Sequence, residues 1–70
     1  MFIKVTDIDG GTAYVNVDRI ECIEPYRVKG HSDASIIHFG ETAYIKTSES
    51  PDMIMKLIER NENGVSNGMP

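Results

Sequence analysis

The chain has 70 residues, with 11 acidic against 7 basic side chains and a net charge of −4. That length holds one domain with a thin core, because about 60 ordered residues hide only roughly 60% of the surface their unfolded form exposes. A single cysteine, Cys22, excludes an internal disulfide and fits a reducing compartment, while the acidic balance works against nucleic-acid binding, which draws most of its affinity from neutralising phosphates.

Phe2 to Ile8 reads as a strand in which Ile3 and Val5 alternate with Lys4 and Thr6. Asp9-Gly10-Gly11 is a turn signal, since glycine reaches positive φ without a Cβ penalty. Thr12 to Val17 is the return strand, with Ala13, Val15 and Val17 on one face and Thr12, Tyr14 and Asn16 on the other. Asn16-Val17-Asp18-Arg19 breaks the alternation, and its Asn and Asp side chains favour a bend. A third strand runs from Ile20 to Tyr26 and ends or bulges near Pro25, because proline lacks the N–H a ladder needs and prefers an edge. Arg27 to Ala34 is polar, contains Gly30 and is expected as the longest loop. Ser35 to Phe39 forms a fourth strand with Ile37 and Phe39 inward. Gly40-Glu41 turns the chain into a fifth, Thr42 to Thr47, with Ala43 and Ile45 toward the core.

The pattern then switches to helical. Ser50 can cap free N–H groups, Pro51 suits the first turn, and Asp52 faces the positive end of the helix dipole. Met53, Ile54, Leu57 and Ile58 recur as one apolar stripe, so the helix is expected over about 50–61. Residues 62–70 carry too little apolar content to order themselves and are expected as a flexible tail. The fold class that follows is mainly β with a C-terminal helix (α+β). Its five strands form an antiparallel meander, either an open curved sheet or a small SH3-like barrel, in one domain over 1–61.

No constellation in the chain carries complete catalytic, metal-binding or cofactor-binding chemistry, so a non-enzymatic protein without cofactor is expected. Asp7 and Asp9 resemble the start of a calcium loop but lack its further acidic positions, and read as hairpin-turn carboxylates. His31 and His38 fall in no zinc-type spacing, and Cys22 reads as a small buried hydrophobe. Ser32, Ser35 and Ser48 have no local partner that would mark a nucleophile. No apolar run approaches the ~18 residues of a membrane span. Met1-Phe2-Ile3-Lys4-Val5 enters a strand pattern directly, without the basic start of a signal peptide. A soluble cytoplasmic protein without membrane insertion is the expectation.

What remains is surface. Tyr14, Ile36, His38 and Tyr44, with Phe2, are expected on the face opposite the core, where a solvated sheet is ordinarily polar. Such a set points to a second buried surface formed with a partner protein or another copy, unless a closed barrel or the helix covers both faces. Tyr26, Arg27 and Lys29 border it, and together with His31 they form a basic cluster that could hold a phosphate backbone and stack a base. The candidate partner-binding residues are therefore Tyr14, Tyr26, Arg27, Lys29, Ile36, His38 and Tyr44. The first reading is a self-associating protein–protein interaction module or adaptor. The alternative is a nucleic-acid-associated regulator acting through the 26–31 basic loop.

Several stretches carry a family likeness: Ile3-Lys4-Val5-Thr6 leading to Asp9-Gly10, Val15 through Glu24, Ile37-His38-Phe39-Gly40, and Ile45 through Ser50 into the helix. In these the chain resembles the FlbD-type flagellar (swarming-motility) family of small bacterial proteins over about residues 3–60. It departs from that family by inserting Arg27–Asp33 and by adding a tail after Asn61. The resemblance implies an accessory role by protein contact, of bacterial or phage type, and supplies no catalytic residues.

Overall fold

The computed structural model describes the backbone of residues 1–29 and 31–68 and the side chains of 1–27, 29 and 33–61. Strands β1 (Phe2–Thr6) and β2 (Thr12–Asn16) are followed by a 3₁₀ turn (Val17–Arg19), then by β3 (Cys22–Val28), β4 (His31–His38), β5 (Tyr44–Thr47) and helix α1 (Pro51–Gly68). The α+β class is as expected, but the strands divide into two antiparallel sheets, β1-β2 and β3-β4-β5.

The first hairpin follows from its alternation. Ile3 opposes Val15 and Val5 opposes Ala13 on the inner face, while Lys4 opposes Tyr14 on the outer one. Its turn is built by Asp7, whose carboxylate accepts the Asp9 amide (2.8 Å) and whose carbonyl accepts that of Gly10 (2.8 Å). Gly10 has φ +105°, a conformation open to glycine and strained for residues with a Cβ. The Asn16 side chain then accepts the Asp18 amide (3.0 Å) and caps the 3₁₀ turn. That turn leads the chain away from β2, so β3 pairs with β4 alone. Here the single five-stranded meander fails, and with it the SH3-like barrel: β2 and β3 are the outer strands and share no ladder.

The stretch expected as a loop, Arg27 to Ala34, is instead the arms of a hairpin. Tyr26 pairs with Ala34 and Val28 with His31, with a register shift between Tyr26 and Val28 that absorbs the irregularity expected at Pro25. Extended pairing satisfies backbone groups that a loop would leave to water, and a bulge accommodates the odd residue. Pro25 does lie on an outer strand. Ala43 is exposed because it precedes β5, where its carbonyl accepts the Phe39 amide (2.8 Å) and closes the β4–β5 turn. Helix α1 extends to Gly68, past the expected end near Asn61. Residues 69 and 70 of the expected tail lie outside the described residues.

The two sheets meet where β1 ends. The Ile8 amide donates to the Lys46 carbonyl (2.9 Å), the Ser48 amide to the Thr6 carbonyl (2.9 Å), and Asp7 bridges Thr47. Glu49 completes this joint: both its carboxylate oxygens accept the Thr6 amide, at 2.9 and 3.0 Å. Its carbonyl accepts the buried hydroxyls of Ser35 (2.7 Å) and Thr47 (3.3 Å). The next residue, Ser50, caps α1 by accepting the Met53 amide (3.1 Å).

Helix α1 lays Ile54 into the core, fully buried beside Ile3, Val5, Val15 and Ile37, with Leu57 and Ile58 packed at the margin. Met53, expected in that stripe, is exposed, because it sits about 100° around the helix from Ile54. Asn61 ties the far side to β1 by donating to the Phe2 carbonyl (3.3 Å). Among the described residues no helix is long and apolar enough to cross a membrane.

Three variants test the packing and the joint. Ile54→Ala is expected to cost about 2–5 kcal/mol, enough to leave so small a domain largely unfolded in a thermal melt followed by circular dichroism. Glu49→Ala, which leaves the part-buried Thr6 amide without its acceptor, is expected to cost about 1–3 kcal/mol in urea titration. Glu49→Gln keeps one acceptor oxygen and should cost less than the alanine variant.

Candidate interaction face

Strand parity builds the outer face of the β3-β4-β5 sheet. Ile23, Ile37 and Ile45 stand in one row and turn inward. The residues alternating with them turn outward: Cys22, His38 and Tyr44 form one cross-strand row, and Glu24, Ile36 and Lys46 form the next. Tyr26 stands at the end of this face, opposite Ala34.

These side chains touch. The His38 Nε2 lies 2.7 Å from Glu24 Oε1, diagonally across the β3–β4 pair. The His38 and Tyr44 rings tilt at 49° with centroids 6.2 Å apart, a usual aromatic spacing. The Lys46 Nζ sits 4.9 Å from the centre of the Tyr26 ring, a cation–π contact. Its pKa is raised above the ordinary lysine value, first by hydrogen bonding with the Tyr26 side chain and then by the charges of Tyr26, Tyr44 and Asp9.

Of the residues singled out from sequence, the fold brings Tyr26, Ile36, His38 and Tyr44 onto this one face. Tyr44 is 57% exposed, and Ile36 and His38 are half-buried. Tyr14, 69% exposed, lies on the outer face of the other sheet, across from Lys4. Arg27 and Lys29 are exposed at the tip of the β3–β4 hairpin. The side chains of His31 and Ser32, which belonged to the basic cluster and the serine candidates, lie outside the described residues.

Cys22 corrects an expectation. It is exposed rather than buried, because pairing with His38 turns it to the same outer side. Glu24 and Lys46 were missed as members of the face, although parity carried the signal: Glu24 is two residues from Tyr26, and Lys46 is two from Tyr44. Asp7 accepts the Asp9 amide within its turn, the hairpin-turn role read from the sequence. Among the described residues, no three His, Cys, Asp or Glu side chains cluster as a metal site would need.

The arrangement offers recognition chemistry. An aromatic and aliphatic centre is bordered by one carboxylate and one ammonium, each already engaged by a neighbour on the face, so its polar groups are pre-oriented. The His38–Glu24 pair is open to water, with side chains 30% and 54% exposed, and exposed pairs contribute little to folding. Glu24→Gln is accordingly expected to change stability by less than about 1 kcal/mol in urea titration. Compared with known proteins, the chain matches no family model, no curated protein and no solved structure.

Proposed function

We propose that the protein is a small non-enzymatic interaction module, cytoplasmic and self-associating, that acts by covering or bridging a partner protein. The observation carrying this reading is the outer face of the three-stranded sheet, where Tyr44, His38, Ile36 and Tyr26 cluster. Open sheet faces are ordinarily polar, and contiguous aromatic surface with a charged rim is typical of the centre of a protein interface. The thin core adds a second argument, since binding stabilises a marginal fold by mass action. The likeness to the FlbD-type family favours the same role, an accessory protein of bacterial or phage type working by contact.

A nucleic-acid-associated regulator is the second reading. It draws on Lys46 against the Tyr26 ring and on Arg27 and Lys29, exposed at the nearby hairpin tip. Stacking platforms beside cations bind single strands, but the net charge of −4 opposes this.

Capture of partners by a tagged chain, with nuclease and a high-salt wash, separates the two. On the adaptor reading a protein partner survives both treatments, and Tyr44→Ala lowers its retention at least about tenfold while the melting curve stays that of the wild type. Retention that vanishes with nuclease, falls steeply with salt and is abolished by Arg27→Glu with Lys29→Glu would instead establish the second reading.

A further inference from the structure

The two outer strands differ in how their free edges are protected. Along β3 the edge carries Glu24, Pro25 and Arg27 and a register shift after Tyr26, all devices that discourage pairing with another strand. Along β2 the sequence is Thr12-Ala13-Tyr14-Val15-Asn16, without charge, proline or register shift. Among the described residues no strand lies beyond β2.

Hydrogen-bond parity shows which groups β2 presents. The Asp7 amide donates to the Gly11 carbonyl and the Val17 amide to the Met1 carbonyl. In an antiparallel ladder bonded pairs alternate, so Ala13 and Val15 bond toward β1 while Thr12, Tyr14 and Asn16 turn their N–H and C=O groups to the open side. The Asn16 carbonyl is engaged by the 3₁₀ turn it caps. What remains is the amide and carbonyl of Thr12 and of Tyr14, and the amide of Asn16.

We propose that this edge pairs antiparallel with β2 of a second copy, about a two-fold axis through Tyr14, giving a continuous β1-β2-β2-β1 sheet. The pattern is complementary to itself at its centre, and the Thr12 amides, which face the engaged Asn16 carbonyls, stay with water. Each Tyr14 amide meets the other copy's Tyr14 carbonyl, and each Asn16 amide meets the other's Thr12 carbonyl. The two Tyr14 side chains, each 69% exposed in the single chain, become direct cross-strand neighbours, an aromatic pairing that favours strand association. Thr12 and Asn16 oppose each other without charge, so no like-charge pair resists the two-fold.

This proposal rests on the self-associating part of the functional reading, and the experiment separates the two. Sedimentation equilibrium over a concentration series is combined with amide hydrogen exchange and three variants. In Tyr14→Pro the lost N–H is one aimed away from β1, so the hairpin ladder is kept. Tyr14→Lys places a charge at the axis and serves if the proline variant does not fold, while Tyr44→Ala alters only the three-stranded sheet. The expected result is a dimer whose Tyr14 and Asn16 amides become protected as concentration rises. Both Tyr14 variants should raise its dissociation constant about tenfold or more, and Tyr44→Ala should dimerise as the wild type does. A dimer unaffected by the Tyr14 variants but lost in Tyr44→Ala would overturn the edge pairing and keep self-association through the other face. A chain that stays monomeric at every concentration would overturn both.

Discussion

Glu49 holds the joint on which the rest of the molecule depends. From Thr6 onward the end of β1 runs beside β5, where a strand would otherwise end with outward-facing groups unmet. The Glu49 carboxylate meets the Thr6 amide there and its carbonyl gathers the Ser35 and Thr47 hydroxyls. One residue thereby engages β1, β4 and β5 just before the helix begins. Buried Ser35 and Thr47 would be costly without that acceptor, and with it no described buried side-chain polar atom lacks a partner.

The joint also sets the angle of the core. With β1 held against β5, the inner faces of the two sheets both look onto Ile54, so one helical side chain closes contacts with Ile3, Val5, Val15 and Ile37. The Glu49 carboxylate on the Thr6 amide, just before the helix begins, and the Asn61 contact with the Phe2 carbonyl fix the helix at two points along β1. A sheet pair left open at β2 and β3 relies on that helix, because a two-stranded hairpin such as β1-β2 is at best marginally stable until it packs against another element. The helix covers the inner faces and leaves the outer ones bare.

Those bare surfaces differ in kind. The three-stranded sheet presents side chains, with Tyr44, His38 and Ile36 at its centre, and suits recognition by shape and aromatic contact. The β2 edge presents backbone, and suits pairing with an extended strand. On the proposed reading, self-pairing at the β2 edge would leave the outer face of the three-stranded sheet free for a partner.

Local order was legible in the residues themselves. The alternation of Ile3 and Val5, the Asp-Gly turn, the bend at Asn16, the inward Ile37 and the Ser50-Pro51-Asp52 helix start all follow from chemistry acting within a few positions. Strand parity likewise placed Tyr14, His38 and Tyr44 away from the core. The tertiary structure alone decided which strands became neighbours: the split into two sheets, the hairpin arms in place of a loop after Arg27, and the exposure of Cys22. It alone gave Glu49 its role, because the groups Glu49 joins lie up to 43 positions away along the chain. A pattern of alternating residues states which face of a strand is apolar, but not which strand will lie beside it. That choice belongs to the long-range hydrogen bonds, and no short stretch of sequence contains both ends of one.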